Sequence, residues 1–283
     1  MTTKVTITGT GCPIPSADRA GPGVLVQVGE LALQFDAGRS TVQRLAGAGL
    51  WPTQVSAVFV THHHSDHLTG LADLTLTRWV MARSGGRPPL PIIAPKGPTV
   101  AYVERMLDAW DLDISVRQEH TGRSDRPEVA LTAFELGDGP TVVWEEGAVR
   151  VLAGEVRHEP VEHAVGYRIE TPDGVVVITG DTLVCDEVAL LAEGADVLVY
   201  EAMRFEPIEA LPVERQFILD YHADTRLIGA QAAALGVKTL ILTHLIPEPV
   251  SAADYAAYEA DIRDAGFTGE LVVADDLHTT VLE

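Results

Sequence analysis

The chain has 283 residues, 46% of them apolar and 22% charged, a composition that excludes disorder and allows a sizeable buried core. Its 41 acidic against 20 basic side chains give a net charge of −21, a field that repels polyanions and makes nucleic acid an unexpected partner. No apolar run approaches the roughly 20 residues needed to cross a bilayer, so no membrane contact is expected.

The first residues, MTTKVTITGTG, begin a strand almost at once and carry no basic-then-apolar signal segment. Two distant cysteines, Cys12 and Cys185, make neither a disulfide framework nor a C-x-x-C zinc knuckle. A cytoplasmic protein is the simplest expectation. Short Val- and Ile-rich runs bounded by Gly, Pro or Asp predict strands at 5–8, 24–28, 31–35, 57–61 and 91–94. Apolar residues at three- and four-residue steps predict helices at 68–83 and 98–110. The polar stretch HTGRSDRPE (120–128) reads as a surface loop containing an exposed His120. Further strands are predicted at 149–156, 165–169, 175–179, 197–200, 239–243 and 271–274, and HTTVLE, with His278, reads as a terminal strand. Helices are predicted at 184–192, 223–235 and 251–265, the last with Asp254 and Gly266 as start and stop signals. No low-complexity linker divides the chain, so residues 1–283 read as one α/β domain with two sheets flanked by helices. Trp79, Trp110 and Trp144 are expected in the core.

Four of the 10 histidines fall between residues 62 and 67, in THHHSDH directly after the apolar run AVFV. Alternate residues of an extended chain point the same way, so His62 and His64 can reach one cation while His63 falls out of phase. Asp66 and His67 follow where the chain turns into a helix near Leu68, and they can hold a second cation. Nitrogen and carboxylate ligands suit zinc best, with manganese or iron also compatible. The missing ligands are expected at other strand ends. Asp181 follows VVVITG, His244 follows TLILT, and His158 lies in GEVRHEPVEHAVGYR.

Together with GTGCPIPSADRAGPG, LQFDAGRSTVQRL, GYRIE, ITGDT, YEAM and YHADTRLIGAQAAALGVKTLILTHLIP, the histidine motif resembles the metallo-β-lactamase superfamily over nearly the whole chain. Within it the likeness is to the branch of ribonuclease Z and the arylsulfatase-like hydrolases. The resemblance implies a metallo-β-lactamase fold, a four-layer αββα sandwich of two mixed β-sheets flanked by helices, and a pair of zinc ions. By motif, His62, His64 and His158 resemble the ligands of the first metal. Asp66, His67 and His244 resemble those of the second, and Asp181 the carboxylate that bridges them. His158 matches better than His163 because the family's third histidine precedes Pro-Val and then GYR. His163 is expected near the site without binding metal. Two metals about 3.5–4 Å apart sharing a hydroxide lower its pKa to about 7, which implies hydrolysis. Asp66 is counted among the catalytic groups.

In the ribonuclease Z branch a histidine supported by a glutamate protonates the leaving oxygen, and His222 in YHADT and Glu201 in YEAM stand at the matching places. The alternative is that His222 caps a helix starting near Ala223 and Glu201 is solvated. Two departures bear on the substrate. The GYR and GDT motifs are joined by IETPDGVVVIT, a plain hairpin without room for the long arm with which ribonuclease Z grips transfer RNA. YEAM stands where the family has HEAT, which puts Tyr200 in place of a histidine. With the acidic charge, these features favour a small anionic ester, either a phosphodiester or a sulfate ester. A lactone or amide ring, and transfer-RNA 3′ processing, are the alternatives. Analogy with ribonuclease Z relatives, which often pair, leaves a homodimer open.

Overall fold

A computed structural model describes residues 2–82 and 88–282. Strands β1 (Thr3–Gly9), β2 (Gly23–Val28), β3 (Leu31–Phe35), β4 (Ala57–Phe59), β5 (Leu90–Pro95) and β6 (Val129–Phe134) come from the first half. They are followed by β7 (Thr141–Glu146), β8 (Val149–Glu155), β9 (Val165–Thr171), β10 (Gly174–Ile178), β11 (Val197–Met203), β12 (Thr239–Ile246), β13 (Glu270–Val273) and β14 (Thr279–Leu282). The first sheet runs β14-β1-β2-β3-β4-β5-β6 and the second β13-β12-β11-β10-β9-β8-β7. Each is mixed in the same way: β3 through β6 are parallel and β10 through β13 are parallel, and the remaining neighbours are antiparallel.

Three apolar layers hold these sheets. Between them, Val5, Ile7, Phe35 and Phe59 of the first sheet meet Val151, Tyr167, Val199 and Ile241 of the second. Period-2 alternation sends the intervening residues outward under helices. Val58, Val60 and Ile92 pack with Leu71 and Leu74 of the helix Leu71–Met81, and Leu240 and Leu242 pack with Ile228 and Ile262. This is the metallo-β-lactamase fold, the αββα sandwich the sequence implies. Phe35 stacks on Phe59 at 4.8 Å between ring centroids, and Tyr167 meets Phe59 edge-on at 5.6 Å. Each such pair contributes about 0.5–1.5 kcal/mol beyond area burial. The Tyr167 hydroxyl also donates to the Val60 carbonyl at 2.6 Å, and the Val165 amide donates to the Thr61 carbonyl at 3.0 Å. Strand β9 therefore stitches the second sheet to the segment that opens the histidine cluster.

Several local expectations shift. The helix expected over 68–83 is split into Ser65–Leu68 and Leu71–Met81, with Arg83 outside the described residues. Gly70 sits at the break, its amide donating to the Ala37 carbonyl, and a Cβ there would meet the Gly38 carbonyl oxygen at 2.1 Å. Asp66 and His67 thus ride on the helical turn rather than preceding it. The helix expected over 98–110 ends at Arg105, and a separate helix, Asp111–Thr121, carries His120 in its exposed last turn rather than in a loop. The Ser251 hydroxyl caps the last helix, with Asp254 completing a reciprocal box, and Gly266 lies just past its end. Trp79 is buried and Trp144 packs on Phe59, whereas Trp110 is 46% exposed, against expectation. Tyr200 is fully buried and donates to Gln231 Oε1, so the departure at YEAM is a packing residue. Among the described residues no helix is long and apolar enough to cross a membrane.

Candidate metal centre

The carboxyl ends of the parallel strands converge at one edge of the sandwich, the place where α/β sheets present ligands. Asp36 follows β3 and adopts a left-handed backbone, φ 53°. Its Oδ1 accepts from the Thr61 amide and its Oδ2 from the Thr61 hydroxyl, both at 2.8 Å. Oδ2 also accepts from His67 Nδ1 at 2.7 Å, and the Thr61 hydroxyl lies 3.0 Å from His62 Nδ1. One buried carboxylate thereby fixes both imidazoles by their Nδ1 edges and leaves their Nε2 atoms facing inward. Asp36 lies within LQFDAGRSTVQRL, but sequence reasoning gave it no role. Its partner is 31 residues away, and only the fold reveals the pairing.

The second sheet delivers the other groups singly. His158, in the turn after β8, donates from Nδ1 to the Tyr221 carbonyl at 2.9 Å, and its Nε2 lies 3.2 Å from His64 Nδ1. Asp181 follows β10 after Gly180, whose φ of 63° and close approach to Thr61, where a Cβ would come within 2.8 Å, both demand glycine. His244 was expected just beyond the end of a strand. Instead β12 continues to Ile246, and the pairing with β11 slips between Glu201 opposite Thr243 and Ala202 opposite Leu245. His244 is the extra residue of a β-bulge, with φ 46°, and the bulge turns its ring into the site.

The distances tie these groups together. His62, His64, His158 and Asp181 offer ligand atoms all within 4.8 Å of one another, and Asp66, His67 and His244 form a second such set. Asp181 Oδ1 is 3.3 Å from His67 Nε2, while its Oδ2 is 3.4 Å from His244 Nε2 and 3.9 Å from both His62 and His158 Nε2. Asp181 thus faces both sets, as a bridging carboxylate must. His62 Nε2, His67 Nε2 and Asp181 Oδ1 are buried and make no hydrogen bond, and buried polar atoms are rarely left so unless an ion or water claims them. Burial pushes the His62 imidazole well below its usual range, with His67 adding to the effect, and brings His64 down to about 4, with His158 adding to it. These rings are therefore neutral, with lone pairs free to coordinate. Burial opposes the ionised form of Asp181, but His244 and His67 outweigh it and hold the carboxyl well below the usual carboxylate range. The donor set fits divalent cations with nitrogen and oxygen preference. His63 and His163 belong to neither set; His163 is exposed, with its ring against Gly97.

Glu201 is 2% exposed, not solvated, and the helix after His222 starts at Thr225 under an Asp224 cap. His222 Nδ1 donates to Glu201 Oε1 at 2.9 Å, and the same oxygen accepts from the Thr182 and Ala223 amides. Burial would lower the His222 pKa, but the Glu201 carboxylate outweighs it and pushes the ring up to about 9. His222 also offers a ligand-type atom within 4.8 Å of those of Asp181 and His244, so it borders the cluster directly. Of the remaining histidines, His278 sits beside β14 with Nε2 3.2 Å from the Thr280 hydroxyl, away from the site.

Comparison with known proteins agrees with this geometry. Residues 32–245 match the beta-lactamase superfamily domain. The chain is 41% identical over 278 residues to a ribonuclease Z from Mycolicibacterium gilvum, covering 97% of this chain and 94% of that protein. Among solved structures, it is similar in fold to the metallo-beta-lactamase fold protein YhfI from Bacillus subtilis, with TM-score 0.76, 22% identity and coverage of 99% and 100% of the two chains. It is also similar to the short form of human tRNase Z, with TM-score 0.73, 20% identity and coverage of 99% of each chain. The chain belongs to the metallo-β-lactamase superfamily, in its ribonuclease Z branch, and is a metal-dependent hydrolase.

Proposed function

We propose that this chain hydrolyses phosphodiester bonds with a pair of divalent cations, zinc being the ion its donor set suits best. His62, His64 and His158 would hold one ion, Asp66, His67 and His244 the other, and Asp181 both. Held there, the ions would supply Lewis acidity and lower the pKa of water at neutral pH. The chain's own contributions surround that chemistry. Asp36 and the Tyr221 carbonyl orient the imidazoles, and Asp66 would serve beside them as a catalytic carboxylate. His222, oriented by Glu201, would give its proton to the departing alkoxide. The leaving oxygen of an unactivated phosphodiester is such an alkoxide, so the pair suits ester cleavage. The observation that carries the reading is the Glu201–His222 pair beside the two ligand sets.

Transfer-RNA 3′ processing is the substrate reading that relatives named ribonuclease Z favour over the small ester expected from the missing arm, the YEAM departure and the acidic charge. The small phosphodiester or sulfate ester is kept as the second reading on one observation: β9 and β10 are joined directly across Pro172 and Asp173, with no arm between them. The test is to incubate the zinc-loaded protein with a precursor transfer RNA bearing a 3′ trailer, and separately with bis-p-nitrophenyl phosphate and p-nitrophenyl sulfate. Trailer removal supports the first reading, and phosphodiester turnover without it supports the second. Turnover of the sulfate alone overturns phosphodiester cleavage.

A further inference from the structure

Beside the metal centre lies a cavity of about 270 Å³ that the chemistry above does not use. Its walls are apolar: Cys12 and Ile14 from the loop after β1, Ile208 and Ile218 from the segment before His222, and Leu245 and Ile246 from the end of β12. Its far end is polar, formed by Ser16, Arg19 and Glu248, with the Ser16 hydroxyl donating to Glu248 Oε1 at 2.6 Å. The segments that line the cavity adjoin those of the site on two sides. Leu245 follows His244 directly, and its amide donates to the Thr10 carbonyl at 3.1 Å, which ties β12 to the loop carrying Cys12. On the other wall, the Ile218 carbonyl accepts from the Tyr221 amide, one residue before His222. The Cys12 thiol is raised by burial and, after that, by the fields of Asp66 and Asp181.

We propose that this cavity is a subsite for one planar ring carried on the ester being cleaved, either an aryl group or a nucleobase. The inference rests on the phosphodiester reading and names the part of the substrate that is gripped away from the reacting phosphorus. The size argues for a single ring, because sites for whole drug-sized ligands begin at roughly 300 Å³. The lining argues for a ring rather than a phosphate chain. Arg19 at the polar end spends its N–H groups on the Thr10 hydroxyl, the Ala274 carbonyl, the Tyr255 hydroxyl, Asp275 and Glu248, so it is not a free cation for an anion. A wider hollow of about 830 Å³ shares Arg19 and Glu248, but its Asp276 is tied to Arg44 and to the amide of Ala20.

The test compares binding of phenylphosphonate, thymidine 5′-phosphate and methylphosphonate to the zinc-loaded protein by calorimetry. Isoleucine δ1-methyl signals are followed by NMR in parallel. The ring-bearing probes should bind about tenfold or more tighter than methylphosphonate, and only they should shift the methyls of Ile14, Ile208, Ile218 and Ile246. Ile218→Trp should erase the preference and leave methylphosphonate affinity unchanged, while Ile218→Ala should weaken the preference without erasing it. A further gain for thymidine 5′-phosphate over phenylphosphonate identifies a nucleobase as the natural occupant, and no gain identifies an aryl group. Equal affinity for ring and methyl probes, or ring-dependent shifts at other isoleucines, overturns the subsite. Methylphosphonate binding reports the metal centre alone. If it is lost while ring-dependent methyl shifts persist, the phosphodiester reading fails and the subsite stands.

Discussion

The two sheets furnish the site in opposite ways. The first gives His62, His64, Asp66 and His67 from one continuous loop and helical turn, pinned from beneath by Asp36. The second gives His158, Asp181 and His244 singly, two from connections and one from within β12, where a bulge aims it. A dense motif can preorganise itself locally, because its members share one backbone path and one anchoring carboxylate. Dispersed ligands depend on the register of every strand between them, so the fold itself is their preorganisation.

Substitutions can break this comparison at its weakest joint. Asp181 is the one dispersed group that faces both ligand sets, so Asp181→Ala should cost on the order of 10⁴-fold in turnover. It should also lower bound zinc below two equivalents, whereas His64→Ala should lose only one. Metal analysis with turnover of bis-p-nitrophenyl phosphate checks this, and an Asp181→Ala protein that keeps both ions would remove its bridging role. Next in size is His222→Ala, with an expected loss of roughly 10²–10⁴-fold on an unactivated phosphodiester and little on a p-nitrophenyl ester. Equal losses on both substrates would show that the imidazole does not protonate the leaving group. The smallest change sharpens the contrast from the other side. Asp36→Asn should weaken zinc binding by about 10–100-fold, and a competition assay with a zinc chelator would read it. Unchanged affinity would mean that the loop orients His62 and His67 without its anchor.

The difference between the sheets also explains what could be read from the sequence. The histidine loop was legible because its ligand residues are neighbours in sequence as well as in space. The Val- and Ile-rich runs of β1 to β5 and β8 to β12 announced themselves because both sheet faces are covered, which favours uninterrupted apolar residues. Strand β7 did not, since Thr141, Val142, Glu145 and Glu146 are exposed and the strand lies at the sheet edge. The bulge at His244 was invisible because TLILT reads as a strand that ends before it, and only the slip against β11 shows that the strand runs on with a residue added. The pairing of Glu201 with His222 was suggested by motif, but its burial and its two amide donors are properties of packing.

The added residue in β12 has a wider reach than the ring it aims. Because side chains alternate along a strand, one inserted position reverses the facing of everything after it. The same insertion that turns His244 into the cluster of ligand-type side chains also sets which faces Leu245 and Ile246 present to the neighbouring hollow. On the proposed chemistry, reactivity and selectivity are both written into a single short stretch of backbone. A lineage that altered its preferred cargo by lengthening or trimming this strand would risk losing the metal with it, so diversification should proceed instead through the opposite wall, at Ile14, Ile208 and Ile218.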